Sequence, residues 1–348
     1  MVYKRIAFIH LSNGGHWAHK NFVSLLNATE ITVPELTKTD NRGLRYLNIY
    51  RTFSSMKQSL KGFDAIIFED LALVGLLYSG AVSKKTKIIV IVASEWPYLI
   101  FNGFVSRPKL LLYKMLIKKV GLFIAVSNMQ KDFLIKLGVK PEKIKVVYPA
   151  PKENVREELL RIKPNLKSKN IVFVGNIRLR FGNFDLKGVD LLVKAFKEAK
   201  KEVKTLKLFI VGGNNQSIIS QYSIAEDIVF TGTVKSISDY LKKSALYVHL
   251  GRGDAMPISV IEALTAGLPA IVSQYTGSKE FVDKINPEFV LPLDYKKVAE
   301  KIVDYFNLSY IEKVRLSNKA RAIGRKVNEK SSRTLFKKYM DEFLEESI

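Results

Sequence analysis

The chain has 348 residues, 47% of them apolar and 11% aromatic, which excludes a disordered or fibrous protein and leaves material for two packed cores. It contains no cysteine, so disulfides, thiolate metal sites and a cysteine nucleophile are excluded together, and a cytoplasmic location is the expectation. The net charge is +23, of which residues 1–150 carry +13 (22 basic, 9 acidic). An excess this large attracts something anionic: nucleic acid, an acidic membrane or a phosphate-bearing substrate; a lysine-rich surface without a partner would show it too.

The opening MVYKRIAFIH holds an apolar run too brief for a secretion signal and reads as a first buried strand, 5–11. Further strands are predicted at 65–68, 87–93, 122–126 and 145–147, with helical patterns between them. Connections of that length imply parallel pairing, so residues 1–155 are expected to form a doubly wound α/β domain. The apolar stretch 71–93 is cut by Ser83-Lys84-Lys85-Thr86-Lys87, which excludes a membrane span there. A charged segment, 152–170, contains Pro164, and the pattern then restarts. Strands at 171–174, 206–211, 228–231, 246–250 and 270–273, with helices at 188–200, 238–243 and 257–266, predict a second doubly wound domain over 156–330. Open sheets of this kind bind ligands beyond the carboxyl ends of their strands, so two of them are expected to face each other across a cleft.

The stretch GRGDAMPISVIEALTAGLPAIV, starting at Gly251, reads as a strand end, a loop holding Asp254, a helix opening near Pro257 and a Gly267-Leu268-Pro269 stop. A helix N-terminus presents unpaired N–H groups and partial positive charge, so Met256, Pro257, Ile258 and Ser259 are expected to cradle a diphosphate. Glu262, in the same helix, could by itself be a residue that merely steadies the helix dipole. Paired with Asp254, it suggests two carboxylates accepting hydrogen bonds from hydroxyl-rich groups on either side of a phosphate, the outline of a nucleotide sugar.

In the first half, Ser12-Asn13-Gly14-Gly15-His16 follows a strand, and paired glycines let backbone approach a phosphate; an ordinary turn would read alike. His16 and His19 lack a third ligand of suitable type nearby, so no metal site is expected. From Arg107 to Val120, RPKLLLYKMLIKKV sets five basic residues among leucines at helical spacing. It reads either as an amphipathic helix packed on the sheet or as an interfacial helix touching an anionic membrane, which would make the protein peripheral on the inner face.

The segment GRGDAMPISVIEALTAGLPAIVS resembles the Glu, seven residues, Glu signature of the family-4 retaining glycosyltransferases of GT-B fold. Supporting blocks occur in the family's order: VSNMQKDFLIKLGVKPEKIKVVYP from Val126, FVGNI from Phe173 with KGVDLLVKAF from Lys187, LFIVGG from Leu208 and VFTGTV from Val229. The coverage runs over about residues 120–285; the first 120 match only in pattern. The resemblance implies two Rossmann-like domains facing across a cleft, with 331–348 returning to the first. It implies a hexose-type transfer with retention, without metal or other cofactor, from a nucleotide-diphosphate sugar to a hydroxyl of a glycan or lipid-linked acceptor.

Carried over residue by residue, Glu262 would hold the donor ribose, Asp254 the transferred sugar and Lys187 the diphosphate. Thr233 and Val234 would line the base pocket, and Gly14 and Gly15 the donor phosphate, with His16 on the acceptor side. Three departures stand out. Asp254 replaces the family's first glutamate. Asn176 stands where the family has arginine, so Arg178 or Arg180 is expected to supply the guanidinium, Arg180 being the preferred catalytic partner of Lys187 and Asp254. Val92-Ala93-Ser94-Glu95-Trp96-Pro97 lacks the family's histidine, leaving Glu95 to orient the acceptor. A nucleotide-sugar epimerase would carry extra acidic and histidine residues around the sugar. A noncatalytic nucleic-acid binder would explain the charge but not Asp254 with Glu262, and no aromatic-and-basic RNA motif or zinc module is present.

Overall fold

The computed structural model describes residues 5–11, 16–33, 51–52, 54–70, 73, 75, 82–83, 85–177, 179–180, 184–213 and 226–345. The chain divides into two compact units, one of Met1–Pro149 with Lys330–Ile348 and the other of Ala150–Glu329.

The first unit is a parallel sheet in the order β2-β1-β3-β4-β5-β6. Its strands are β1 Ile6–Leu11, β2 Thr29–Val33, β3 Ala65–Phe68, β4 Lys87–Val92, β5 Leu122–Ala125 and β6 Ile144–Val146. Runs such as Ile88 to Val92 and Ala65 to Phe68 are buried throughout, as β-branched, apolar strands covered on both faces must be. β2 was not predicted: TEITV is an edge strand, exposed over most of its length, and threonine with glutamate gives no apolar run to read. The last helix, Glu329–Glu345, packs in this unit, where Phe336 stacks on Phe22 and Lys87 Nζ donates to the Phe343 carbonyl at 2.7 Å.

The second unit is a parallel sheet in the order β11-β10-β7-β12-β13-β14. The strands are β7 Asn170–Val174, β10 Lys207–Val211, β11 Ile228–Gly232, β12 Leu246–His249, β13 Ala270–Ser273 and β14 Val290–Leu291, while β8 Leu179–Arg180 and β9 Phe184–Asp185 form a separate antiparallel pair. The two-residue β14 and this short pair were also not predicted, being too brief for periodicity to register. From β7 the order runs outward through β10 to one edge and through β12 to the other. The strand order thus reverses between β7 and β12, and open sheets take ligands at the carboxyl ends of the strands beside such a point.

The helix Ile258–Ala266 follows β12, with Pro257 in extended conformation just ahead of it and Gly267 at φ 87° closing it. Its far end is pinned by Arg321, which donates to the carbonyls of Ala266 (2.6 Å), Ile162 (2.5 Å) and Leu160 (2.9 Å), a cation on the negative ends of helices. Gly324 lets the helix Tyr310–Lys326 approach it: a Cβ there would lie 2.4 Å from the Thr265 amide nitrogen.

Candidate functional site

The site in the second unit is assembled by two loops locked to each other. After β7, Gly175 N donates to the Val211 carbonyl (2.8 Å), Gly213 N donates to Asn176 Oδ1 (2.7 Å) and Ile177 N to the Gly213 carbonyl (3.1 Å). The position expected to carry the family's arginine is therefore a backbone tie between the ends of β7 and β10. Further along, buried Asp185 accepts from the amides of Lys187 (2.8 Å) and Val189 (2.6 Å), capping the helix Val189–Ala199. Burial pushes the Asp185 carboxyl up, and those amides pull against it. Arg252 completes the lock: it donates to the Asp185 carbonyl (2.5 Å) and holds both oxygens of Asp190 (2.7 and 2.8 Å). Gly188 sits between the loops at φ 71°, and a Cβ there would lie 2.0 Å from the Leu250 carbonyl oxygen, so only glycine fits.

This scaffold brings Lys187 and Asp254 together. Lys187 Nζ lies 2.5 Å from Asp254 Oδ2, and His249 Nε2 lies 3.0 Å from the same oxygen. Burial would raise the Asp254 carboxyl, but the lysine charge and the imidazole hydrogen bond outweigh it and hold the group well below the usual carboxylate range. Asp254 is fixed from behind, its carbonyl accepting from Gly277 N (2.9 Å) and Thr276 Oγ1 (3.3 Å).

Glu262 lies one turn into the Ile258–Ala266 helix. Burial alone pushes its carboxyl up to about 7. Below it, Tyr247 OH and Ser259 Oγ are 2.9 Å apart, and Tyr247 OH also donates to the Val174 carbonyl (3.2 Å). One carboxylate thus precedes and the other lies one turn inside a helix whose first amides have no intrahelical acceptor. One carboxylate is ionised and paired; the other is poised near neutrality. Met256 and Pro257 are buried and Ile258 is half-buried. Thr233 directly follows β11 and is exposed, with Val234 half-buried beside it.

Other predicted residues are placed less informatively. Gly14, Gly15 and Arg178 lie outside the described residues, and Arg180 is described only as backbone in β8. His16 caps the helix Trp17–Val23, and its amide donates to Glu69 Oε1 at 2.5 Å. The same oxygen lies 2.9 Å from His19 Nδ1. Although Glu69 does bring a carboxylate to this pair of histidines, no group of three or more His, Asp or Glu side chains among the described residues is arranged to hold a metal ion. Glu95 is half-buried at the start of the helix Trp96–Phe101, just past β4.

Four residues escaped the sequence reading: His249, Asp185, Arg252 and Glu69. His249 ends the apolar run LYVH and reads as core. Asp185 and Arg252 act on backbone and on each other's loop, which no local spacing reveals. Glu69 had one available signal, its place directly after β3.

Comparison with known proteins gives two family matches, "Glycosyl transferases group 1" over residues 168–307 and "Glycosyltransferase Family 4" over 19–150. An uncharacterized glycosyltransferase of Methanocaldococcus jannaschii is 25% identical over 302 residues, covering 80% of this chain and 75% of that one. The chain spans less than two thirds of the length of several other curated relatives. Among solved structures, Anabaena HepE in complex with UDP-glucose superimposes with a TM-score of 0.73 at 13% identity, covering 97% of this chain and 99% of that one. WaaG, a glycosyltransferase involved in lipopolysaccharide biosynthesis, superimposes with a TM-score of 0.68 at 16% identity, covering 98% and 100%.

Proposed function

The chain belongs to the group 1, family 4 glycosyltransferases and has their GT-B fold, and from that premise we propose that its second unit binds a nucleotide-diphosphate sugar and gives up a hexose with retention of configuration. The observation that carries this reading is the charge arrangement around the Ile258–Ala266 helix: an ammonium paired at 2.5 Å with one carboxylate ahead of the helix, and a second, buried carboxylate one turn inside it. Lys187 and those amides take the diphosphate, Glu262 the ribose hydroxyls, and Asp254 the hydroxyls of the sugar. HepE is seen with UDP-glucose, which supports a UDP-sugar as donor.

As the sugar–phosphate bond breaks, negative charge builds on the diphosphate, and Lys187 stabilises it without a bound metal ion. The acceptor hydroxyl attacks from the face the diphosphate leaves and passes its proton to the departing phosphate oxygen, so no dedicated side-chain base is needed. His16 and Glu95, at the carboxyl ends of first-unit strands, are the acceptor-side residues. A thermal-shift screen against UDP, GDP, ADP and their glucose conjugates tests the donor assignment, because a ligand that binds only the native state raises its melting point. Full activity in EDTA supports the metal-free step, and complete loss refutes it.

The acceptor is lipid-linked and met at an anionic membrane surface. Among the described residues no helix is long and apolar enough to cross a membrane. The helix Arg107–Leu116 buries Tyr113 and Leu116 yet leaves Leu111 62%, Leu112 49% and Met115 47% exposed, with Phe101 54% and Phe104 45% exposed in the segment preceding it. No acidic residue occurs between Glu95 and Asp132, while Arg107, Lys109, Lys114, Lys118 and Lys119 do. Packing on the sheet accounts for the buried face only. The outward apolar side chains with basic residues around them fit anionic headgroups over acyl chains. Co-sedimentation with phosphatidylglycerol vesicles but not phosphatidylcholine vesicles, lost in Leu111→Ser/Leu112→Ser/Met115→Ser, supports this. Equal partition into both, or self-association through the same face, overturns it.

A further inference from the structure

We infer that His249 is a positioning residue for the donor sugar, holding Asp254 in place when Lys187 turns toward the diphosphate; this rests on the donor-site reading above. His249 closes β12 and is 1% exposed. Its ring stacks on Phe173 (centroids 5.5 Å, planes 17° apart) and runs nearly parallel to Tyr247 (6.5 Å, 8°). Stacked in this way, the imidazole keeps one orientation, with Nε2 aimed at Asp254 Oδ2 at 3.0 Å. An ionised carboxylate only accepts, so Nε2 carries the hydrogen, while Nδ1 is buried with no partner among the described residues.

Gly251 keeps the two in register. A Cβ on it would fall 2.9 Å from His249 Nε2 and 3.0 Å from Asp254 Cβ, so nothing larger fits between strand end and carboxylate. With the Asp254 backbone tied to Gly277 and Thr276, the reach of its side chain is set by one methylene and by the imidazole.

The consequence appears when donor arrives. In the free protein both Lys187 and His249 grip Oδ2. A diphosphate competes for the ammonium, and a carboxylate this enclosed would then lose its main partner at the moment it must meet the sugar. His249 keeps Oδ2 satisfied and leaves Oδ1 free for sugar hydroxyls. The shorter acid, where the resemblance leads one to expect glutamate, is thereby matched to a histidine beneath it: a longer side chain would be driven past Nε2.

The test compares UDP with UDP-glucose by titration calorimetry in the wild type, Asp254→Asn, His249→Phe and His249→Gln. Phenylalanine keeps the stacking and removes the donor; glutamine places an amide N–H near the former Nε2. His249→Phe is expected to bind UDP within about twofold of wild type but to lose the added affinity of UDP-glucose, on the order of tenfold for one hydrogen bond to a charged group. Glutamine is expected to restore most of it. If Asp254→Asn loses that increment while His249→Phe keeps it, the positioning role is overturned and the sugar site stands. If Asp254→Asn also keeps it, the sugar-site assignment itself falls. Equal loss in both His249 variants with an unchanged melting point would show that ring identity, not the donated hydrogen, matters, and would overturn the inference as well.

Discussion

Glu262 offers a quantitative test because its carboxyl is lifted by burial from 4.5 to about 7. Below pH 4.5 the acid is protonated in folded and unfolded chains alike, and its burial carries no pH-linked cost. Between 4.5 and 7 the unfolded chain ionises first, so stability falls as pH rises; above 7 both are ionised and the cost is constant. The difference amounts to at most about 3 kcal/mol at pH 8, less to the extent that solvent reaches the carboxylate. Glu262→Gln removes the charge and nearly keeps the shape. It is expected to melt several degrees above wild type at pH 8, at roughly 2–4 °C per kcal/mol, and alongside it at pH 4.5. Nucleotide affinity moves the other way. Ribose hydroxyls donating to the ionised acid favour its charged form, so UDP binding to wild type releases protons near pH 7, and the apparent calorimetric enthalpy depends on the buffer. In Glu262→Gln that dependence disappears and affinity falls about tenfold, the loss expected when a hydrogen bond to a charged group becomes a neutral one. A melting offset identical at the two pH values refutes the buried-charge argument. An affinity within twofold of wild type refutes the ribose role.

Lys187→Ala is expected to lower turnover at least about tenfold while costing only a few degrees of melting temperature, since the pair it breaks is partly exposed and Asp254 keeps His249. The same variant alters the acid limb. Asp254, depressed below 3.8, contributes stability above that pH which is lost as pH falls, and without the lysine a melting curve against pH from 5 to 2 becomes flatter. Gly188→Ala forces a Cβ to 2.0 Å from the Leu250 carbonyl at a left-handed φ, and a loss above about 2 kcal/mol in denaturant unfolding is expected; a neutral result would mean the two loops are not locked. Gly324→Ala, 2.4 Å from the Thr265 amide, is expected to cost about 1–3 kcal/mol by pushing the Ile258–Ala266 helix aside.

What the sequence disclosed and what it withheld separate along physical lines. The buried strands and the Ile258–Ala266 helix were legible because apolar periodicity and a Pro–Gly frame are local signals that tertiary packing here reinforces. The edge strand Thr29–Val33 was not, because an edge has one neighbour and little burial, so its residues need not be apolar. At the site, Asp254, Glu262 and Lys187 could be named from residue type and spacing, but their mutual relation could not. That the lysine rests on Asp254 depends on Asp185, Gly188 and Arg252 clasping segments more than 60 residues apart. The two carboxylates, alike on paper, separate into an ionised acid and one titrating near 7 only because one has partners and the other has none among the described residues. A helix N-terminus already stabilises negative charge, so the free-protein arrangement makes physical sense as a waiting state. The lysine neutralises the nearer acid and a proton neutralises part of the farther one; an incoming donor draws the lysine to its diphosphate and brings ribose hydroxyls to Glu262. Donor binding should therefore release a proton from Glu262 and draw Lys187 off Asp254 in one step, which couples recognition of the ribose to recognition of the sugar.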